Sequence, residues 1–306
     1  MPLCGVVFGT PKGRAQFPDD IPAIYTGSQN PRRELLTSIE IRGIAPGSNV
    51  VLHHPSSGIV RFSSAGVNRF VFALSTPAGS TFVEQATDVF ERLTESIAAA
   101  HLEPRHITRT WYFIRNIDQN YADFNTVRDI YFNKWQLRRF PASTGIGAVP
   151  FDNAMINALV EATDAADLGQ ATFDTDLQCP PVSYGPRFVR ANEIHFNGTR
   201  TVNISGISSI GLEGQSLTGT PSDLVDHTMA SFLDLLSRSG MSVSDIVTSY
   251  VYFKDEQVHA IFEEYIRKNE LNFPHLVNQV DVCRPDLVFE IEARAMRSTV
   301  ECEISS

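Results

Sequence analysis

Thr110-Trp111-Tyr112-Phe113 returns 139 positions later (110 to 249) as Ser249-Tyr250-Val251-Tyr252, and this weak internal copy decides the fold. Working outward under the same shift, Ile107 meets Ile246, and Phe90, Leu93 and Ile97 meet Met229, Phe232 and Leu236. Downstream, both halves run a second aromatic segment, Tyr121 to Phe132 and Val258 to Tyr265. Both then reach Phe-Pro, at Phe140-Pro141 and Phe273-Pro274, and a final apolar strand. A repeat well over the usual solenoid period implies two duplicated domains rather than an array. The expected division is 1–168 and 169–306, each long enough for its own core. Arg128, Ser143-Thr144-Gly145, Cys283 and Glu290 have no counterpart in the other copy, which makes them the first candidates for chemistry.

The local patterns give each copy the same order of elements. Arg69 to Thr76 reads as a strand, and Thr81 is placed to cap the helix after it. That helix shows apolar residues at Val83, Ala86, Val89, Phe90, Leu93 and Ile97, spacings of three and four. His106 to Ile114 is β-branched and aromatic, hence a strand; helix Tyr121–Phe132 and a strand near Met155–Ala162 follow. The second copy reads as strand Thr201–Ser205, helix Ser222–Arg238 stopped by Gly240, strand Asp245–Phe253, helix Val258–Lys268 and strand Leu287–Ala295. Between strand and helix lies a Gly-, Thr- and Ser-rich loop, 211–220. The first sixty residues suggest short extra strands, and segment 163–185 the inter-domain connection. The expected class is α+β, two mixed sheets each with two helices on one face.

Composition excludes several functions. A formal charge of −10 provides no basic field for nucleic acid or anionic lipid. No apolar run approaches a membrane span, and the N-terminus lacks the n-region and h-region of a signal peptide, so a cytoplasmic location is expected. Cys4, Cys179, Cys283 and Cys302 show no C-x-x-C spacing, and the eight histidines show no ligand spacing, so neither a metal nor a disulfide framework is expected.

The second half resembles the RidA/YjgF family in Ile204-Ser-Gly206, Arg238 to Ile246, Val251-Tyr-Phe253 with Asp255, and Glu290-Ile-Glu-Ala293. The whole chain resembles the chorismatases, which pair two such (chorismate mutase-like) domains. The carrying segments are Val6-Val-Phe-Gly9, Trp111-Tyr-Phe113, Tyr121–Tyr131, Pro141–Gly147, Tyr184-Gly-Pro-Arg187 and Cys283 to Glu290. That resemblance implies an enzyme acting on chorismate without cofactor or metal. It would release pyruvate from the enol-ether side chain and leave either a dihydroxycyclohexadiene acid or a hydroxybenzoate. Single-domain RidA proteins form trimers; a tandem chain can bury part of that interface internally, which favours a monomer.

Chorismate carries two carboxylates, for which forked arginine donors are suited. Arg128 lies one turn after Phe124 on the aromatic helix, and Arg187 and Arg190 lie in a turn-rich segment with Tyr184. Arg128 and Arg187 are the expected clamps, with Tyr121 and Tyr184 beside them, although each arginine taken alone also reads as a surface residue. Pro141 to Gly147 reads as a small-residue loop whose Thr144 and Gly145 can donate to an anion. Glu290 interrupts an apolar strand and shares a face with Val288 and Glu292. Desolvation there favours the protonated carboxyl that an enol ether needs as general acid. Glu292 matches Glu161 under a shift of 131 and reads as scaffold.

Cys283 is by default an inert buried thiol. In the family, a cysteine seven residues before the catalytic glutamate is similar to the 3-hydroxybenzoate-forming subtype. Ile207 departs from the small residue expected after Ser205-Gly206, which leaves the diol-forming and 4-hydroxybenzoate-forming outcomes open. An ordinary RidA-like imine deaminase is disfavoured, since no arginine follows the proline at Pro141-Ala142-Ser143 or Pro274-His275-Leu276. A non-catalytic small-molecule binding module remains the other alternative.

Overall fold

The computed structural model describes residues 2–8, 23–27, 38–43, 51–56, 59–64, 66–150, 153–165, 171–196 and 198–299. Near the N-terminus, β1 (Pro2–Phe8), β2 (Ala23–Gly27) and β3 (Ser38–Gly43) join β9 (Val149–Pro150) in a small sheet ordered β3-β1-β2-β9. These are the extra strands expected of the first sixty residues.

The two large sheets repeat one topology. The first contains β4 (Val51–Ser56), β5 (Ile59–Ser64), β6 (Val67–Leu74), β7 (Ile107–Ile114), β8 (Ala142–Gly147) and β10 (Ile156–Thr163), ordered β4-β5-β6-β10-β7-β8. The second contains β11 (Thr172–Phe173), β12 (Ala191–Phe196), β13 (Thr199–Ser208), β14 (Ile246–Phe253), β15 (Leu276–Gln279) and β16 (Phe289–Ser298), ordered β11-β12-β13-β16-β14-β15. In each, one parallel pair (β7–β8, β14–β15) sits in an otherwise antiparallel ladder. The fold is therefore α+β with two mixed sheets. The expected boundary at 168 and 169 falls outside the described residues.

Period-two alternation places the layers. Tyr112 and Ile114 turn toward α1 (Phe82–Ala99) and α2 (Ile117–Lys134), while Trp111 and Phe113 turn the other way and meet Tyr250 and Tyr252. Val251 and Phe253 in turn face α3 (Pro221–Arg238) and α4 (Glu256–Lys268). The two sheets thus stack face to face with helices outside. Their interface also carries charge: Glu161 accepts from Arg69 at 3.2 Å and from Arg294 of the other domain at 2.7 Å.

Three helix starts lie within two residues of those expected, whereas α2 begins at Ile117, four residues before Tyr121. Thr81 closes a capping box with Glu84, a motif that stabilises a helix by about 1 kcal/mol. Val83, however, is 44% exposed, because Phe82, four residues before Ala86, holds the core-facing position. Gly240 follows the end of α3 with φ +68°, the left-handed conformation that stops a helix.

Three further expectations are corrected. Pro141 to Gly147 is not a loop over most of its length: Ala142–Gly147 is β8, paired in parallel with β7 and held toward the second domain by Ser143 N–H donating to Ser205 Oγ at 2.9 Å. The last strand begins at Phe289. A turn closed by Leu287 N–H to Arg284 C=O precedes it, and Val288 packs with the helix-side core rather than beside Glu290. The strand register also replaces the 131-residue match. Trp111 faces Leu159 as Tyr250 faces Glu292, and Arg109 faces Glu161 as Thr248 faces Arg294. The counterpart of Glu161 is therefore Arg294. Glu290 and Glu292 occupy the places of Asn157 and Leu159, so both glutamates are departures of the second domain from its copy.

Candidate active site

One bulge shapes the site. β13 and β16 pair regularly up to Ile204–Ala293 and resume at Ile207–Ile291, so Ser205 and Gly206 together oppose the single residue Glu292. The equivalent pair β6–β10 runs without such a shift. A bulge re-aims the side chains around it. Ile207 consequently turns into the helix-side core and is fully buried there, and Gly206, not Ile207, faces the cavity.

The cavity has a volume of about 260 Å³ and lies between the domains. Tyr121, Phe124, Asn125, Arg128 and Asp129 of α2 line it on one side, with Ser143, Thr144 and Gly145 of β8. Tyr184, Gly185, Pro186, Phe188, Arg190, Gly206, Ser208, Ile210, Cys283, Arg284, Leu287 and Glu290 contribute the rest. Segment 163–185 is thus more than a connection, since its last residues build a wall.

Glu290 reaches the cavity from β16 while only 4% exposed. Among the described residues its carboxyl makes no hydrogen bond. Burial, reinforced by Glu292 and opposed by Arg109 and Arg190, pushes this carboxyl from an ordinary 4.5 up to about 8. It is a neutral acid at neutral pH. Between those two values the folded chain keeps a proton that the unfolded chain has released, so stability falls as pH rises from 4.5 toward 8. Glu290→Gln is neutral throughout and lacks this fall. The melting temperature of wild type relative to the variant is expected to drop progressively between about pH 5 and pH 9; parallel curves would show an ordinary carboxyl.

Two arginines are buried without a carboxylate. Arg128 is 2% exposed, donates to Asn125 Oδ1 at 2.6 Å and lies 5.2 Å from the Phe124 ring. Arg190 is 1% exposed and donates to the Cys179 carbonyl at 3.1 Å and the Tyr184 hydroxyl at 3.3 Å. Neither forms an ion pair among the described residues, and Nε of each has no hydrogen-bond partner there. An unpaired buried cation is costly, so both guanidiniums call for anionic groups that the described chain does not supply.

The sequence-selected residues divide accordingly. Glu290, Cys283, Arg128, Thr144, Gly145, Tyr184 and Tyr121 all line the cavity. Arg187 does not: it pairs with Asp129 at 3.4 Å, donates to Asn133 and stacks toward Phe140, while Arg190, three residues on, lines the cavity. Thr144 is no free donor either. Its hydroxyl accepts from Arg109 at 2.6 Å and from Gly206 N–H at 3.0 Å, and donates to Glu292. Cys283 is partly buried, and burial with the neighbouring Glu290 pushes its thiol up to about 12, so it is a neutral wall rather than a nucleophile. Tyr184 seats on Gly214, whose φ is +80° and where a Cβ would lie 2.4 Å from that of Tyr184. Arg284 pins the same turn by donating to the Gly214 carbonyl at 2.9 Å.

Sequence reasoning missed Gly206, Ser208, Arg284 and the Arg109–Glu292 pair. For Arg109 a signal existed, a lone arginine inside an apolar strand; for Gly206 a bulge leaves no periodic trace. A Cβ on Gly206 would fall 2.0 Å from Glu290 Oε1 and 2.8 Å from its Cδ. The clash is with the end of a flexible side chain, so Gly206→Ala is expected to fold normally yet displace the acid. A shift of about 1 Å costs on the order of 10²-fold in turnover. A steady-state rate near wild type would contradict this placement.

No helix among the described residues is long and apolar enough to cross a membrane, and no cluster of three or more His, Cys, Asp or Glu among them is placed to hold a metal ion. No family model and no curated protein matches the sequence. Among solved structures, a chorismatase aligns over 96% of this chain and 92% of its own at 17% identity, with a TM-score of 0.73. The two share a fold throughout. Yeast Mmf1 (18% identity, TM-score 0.36) and RidA from the Antarctic bacterium Psychrobacter sp. PAMC 21119 (21% identity, TM-score 0.34) align over 42% and 41% of this chain and over 99% and 98% of their own.

Proposed function

We propose that this chain is a chorismatase that releases pyruvate from chorismate, with Glu290 as general acid. The observation that carries the reading is the combination in one 260 Å³ cavity of two buried guanidiniums without carboxylates and a carboxyl held neutral. Chorismate is a dianion with an acid-labile enol ether, and it complements both features. Its two carboxylates fit Arg128 and Arg190, which replaces Arg187 in the pair of clamps.

The chemistry follows from the acid. Glu290 gives its proton to the terminal methylene carbon of the enol ether, leaving an oxocarbenium ion at the ether carbon and a carboxylate on the enzyme. Arg109 and Arg190 both favour that carboxylate, which offsets charge developing in the transition state. Addition of water to the oxocarbenium carbon, with its proton returned to Glu290, gives a hemiketal that collapses to pyruvate and a dihydroxycyclohexadiene acid. If the ring's own hydroxyl adds instead and returns its proton to Glu290, a cyclic ketal forms. Cleavage of that hydroxyl's bond to the ring and of the ketal bond to the ether oxygen, with the proton of the ring carbon bearing that oxygen passing to it, releases pyruvate and a hydroxybenzoate without consuming water.

Cys283 lies at the cavity wall, and its place seven residues before Glu290, which resembles the 3-hydroxybenzoate-forming subtype, makes 3-hydroxybenzoate the expected ring product. The role of Tyr121 and Tyr184 is to shape the wall and exclude bulk water. Product identification by chromatography and mass, after incubation with chorismate, tests the assignment. Pyruvate with 3-hydroxybenzoate is expected; pyruvate with the diene diol or 4-hydroxybenzoate would overturn the role of Cys283, and unchanged chorismate would leave a binding module.

A further inference from the structure

Glu290 and Glu292 lie two residues apart on β16, so both project from the same face of the strand, and they are 4% and 2% exposed. Their surroundings differ completely. Glu292 accepts from Arg109, from the Thr144 hydroxyl, from Trp111 Nε1 at 2.8 Å and from the Tyr252 hydroxyl at 3.0 Å. Arg109, Trp111 and Thr144 belong to the first domain, Tyr252 to the second. Glu290 has no hydrogen bond among the described residues. Burial first, and then the neighbouring Glu292 carboxylate, favour the protonated form of Glu290.

We propose that Glu292 is a positioning residue for Glu290: a carboxylate anchored by an ion pair to Arg109 and by three further donors drawn from both domains, set beside the acid on the same strand face. Glu292 does not line the cavity, so it acts there only through neighbours that do, Glu290 on its own strand and Thr144, which donates to it. The reciprocal half of the device is the bulge, which brings Gly206 rather than a bulky side chain beside the Glu290 carboxyl and hands the Gly206 N–H to Thr144. The tandem arrangement then has a functional reason. The first domain supplies donors that anchor the carboxylate set beside an acid borne by the second.

Arg128, Asp129, Tyr184 and Arg284 line the same cavity as Glu290. Glu292 on its own strand favours the proton; Arg109 on β7 and Arg190 beside β12 oppose it. Tyr252 on β14, Tyr121 on α2 and Cys283 before β16 are held neutral by burial. Removing the Glu292 charge therefore leaves burial alone to hold the proton against two cations.

Glu292→Gln keeps the shape and an acceptor oxygen and removes only the charge. The protonated-carboxyl band of Glu290, assigned by its loss in Glu290→Gln, can be titrated by infrared difference spectroscopy without substrate. In Glu292→Gln its midpoint is expected about one pH unit or more below wild type, and the high-pH limb of kcat/KM with chorismate moves down with it. Glu292→Asp, which keeps the charge, is expected to hold the midpoint near wild type. A purely structural Glu292 predicts the reverse ranking, with Gln retaining the midpoint and Asp losing it; should one variant fail to fold, a midpoint retained in Gln, or lost in Asp, overturns the proposal by itself. The kinetic arm rests on the chorismatase reading, but the infrared arm does not. A shifted band in a protein that leaves chorismate intact would discard the reading alone, whereas an unshifted band in an active protein would discard only the role of Glu292.

Discussion

Glu290→Gln is expected to bind chorismate as wild type does and to turn it over about 10²- to 10⁴-fold more slowly, the range that general acid catalysis contributes. The reason binding survives is specific to this site. Glu290 is already neutral at neutral pH, because burial and the neighbouring Glu292 carboxylate disfavour its charge. Exchanging a neutral carboxyl for a neutral amide of the same shape leaves the electrostatics of the cavity almost unchanged. The amide cannot deliver a proton to carbon. Calorimetric affinity within a few-fold of wild type, together with collapsed pyruvate release, is the predicted pair of results. Lost affinity would mean that Glu290 serves binding; unaltered turnover would remove it from the mechanism.

Arg190→Gln is expected to act in the opposite way, chiefly on affinity. Truncating one partner of a buried charge pair costs about 2–5 kcal/mol, which is roughly 30-fold or more in Kd. Arg190 is nearly inaccessible, and its side chain is held by the Cys179 carbonyl and the Tyr184 hydroxyl, so little else can take its place. Arg128→Gln is expected to behave alike from the other wall, where Asn125 holds the guanidinium. Arg190 carries a second signature. It opposes protonation of Glu290, so its loss should move the high-pH limb of kcat/KM upward, whereas loss of Arg128 should not. Arg187→Gln, whose side chain does not line the cavity but pairs with Asp129 on its wall, is the comparison and should alter both quantities far less than Arg190→Gln.

The contrast between Arg187 and Arg190 shows what a sequence leaves hidden. Strands and helices were legible because apolar spacing of two or of three to four maps directly onto a face. Trp111 against Tyr112, or Phe90 with Leu93 and Ile97, could be placed that way. Between residues 180 and 190 the chain turns repeatedly, no period runs through it, and nothing in the order of residues says which arginine points inward. The same limit applies at Ser205-Gly206-Ile207. One inserted residue in β13 reverses which side chains face the core, so the expectation attached to Ile207 belonged to Gly206. β8 was hidden for a different reason: its small residues lack strand propensity, and the strand exists because β7 pairs with it and Ser205 of the other domain grips its backbone.

Glu290 was legible because a carboxyl within an apolar strand is anomalous on its own terms. Its companion was not, since Glu292 looked like scaffold and its significance depends on four donors scattered from residue 109 to residue 252. The register adds a further point. Asn157 and Leu159 stand where Glu290 and Glu292 stand in the copy, so the acid and its charged neighbour arose, or were kept, on one side of the duplication alone.

The most direct test of the central claim is to mix the purified protein with chorismate and follow pyruvate as chorismate disappears. The account predicts one pyruvate formed for each chorismate consumed, at a rate that falls as pH rises through about 8, where Glu290 loses its proton. Chorismate that persists unchanged in the presence of folded protein would contradict it.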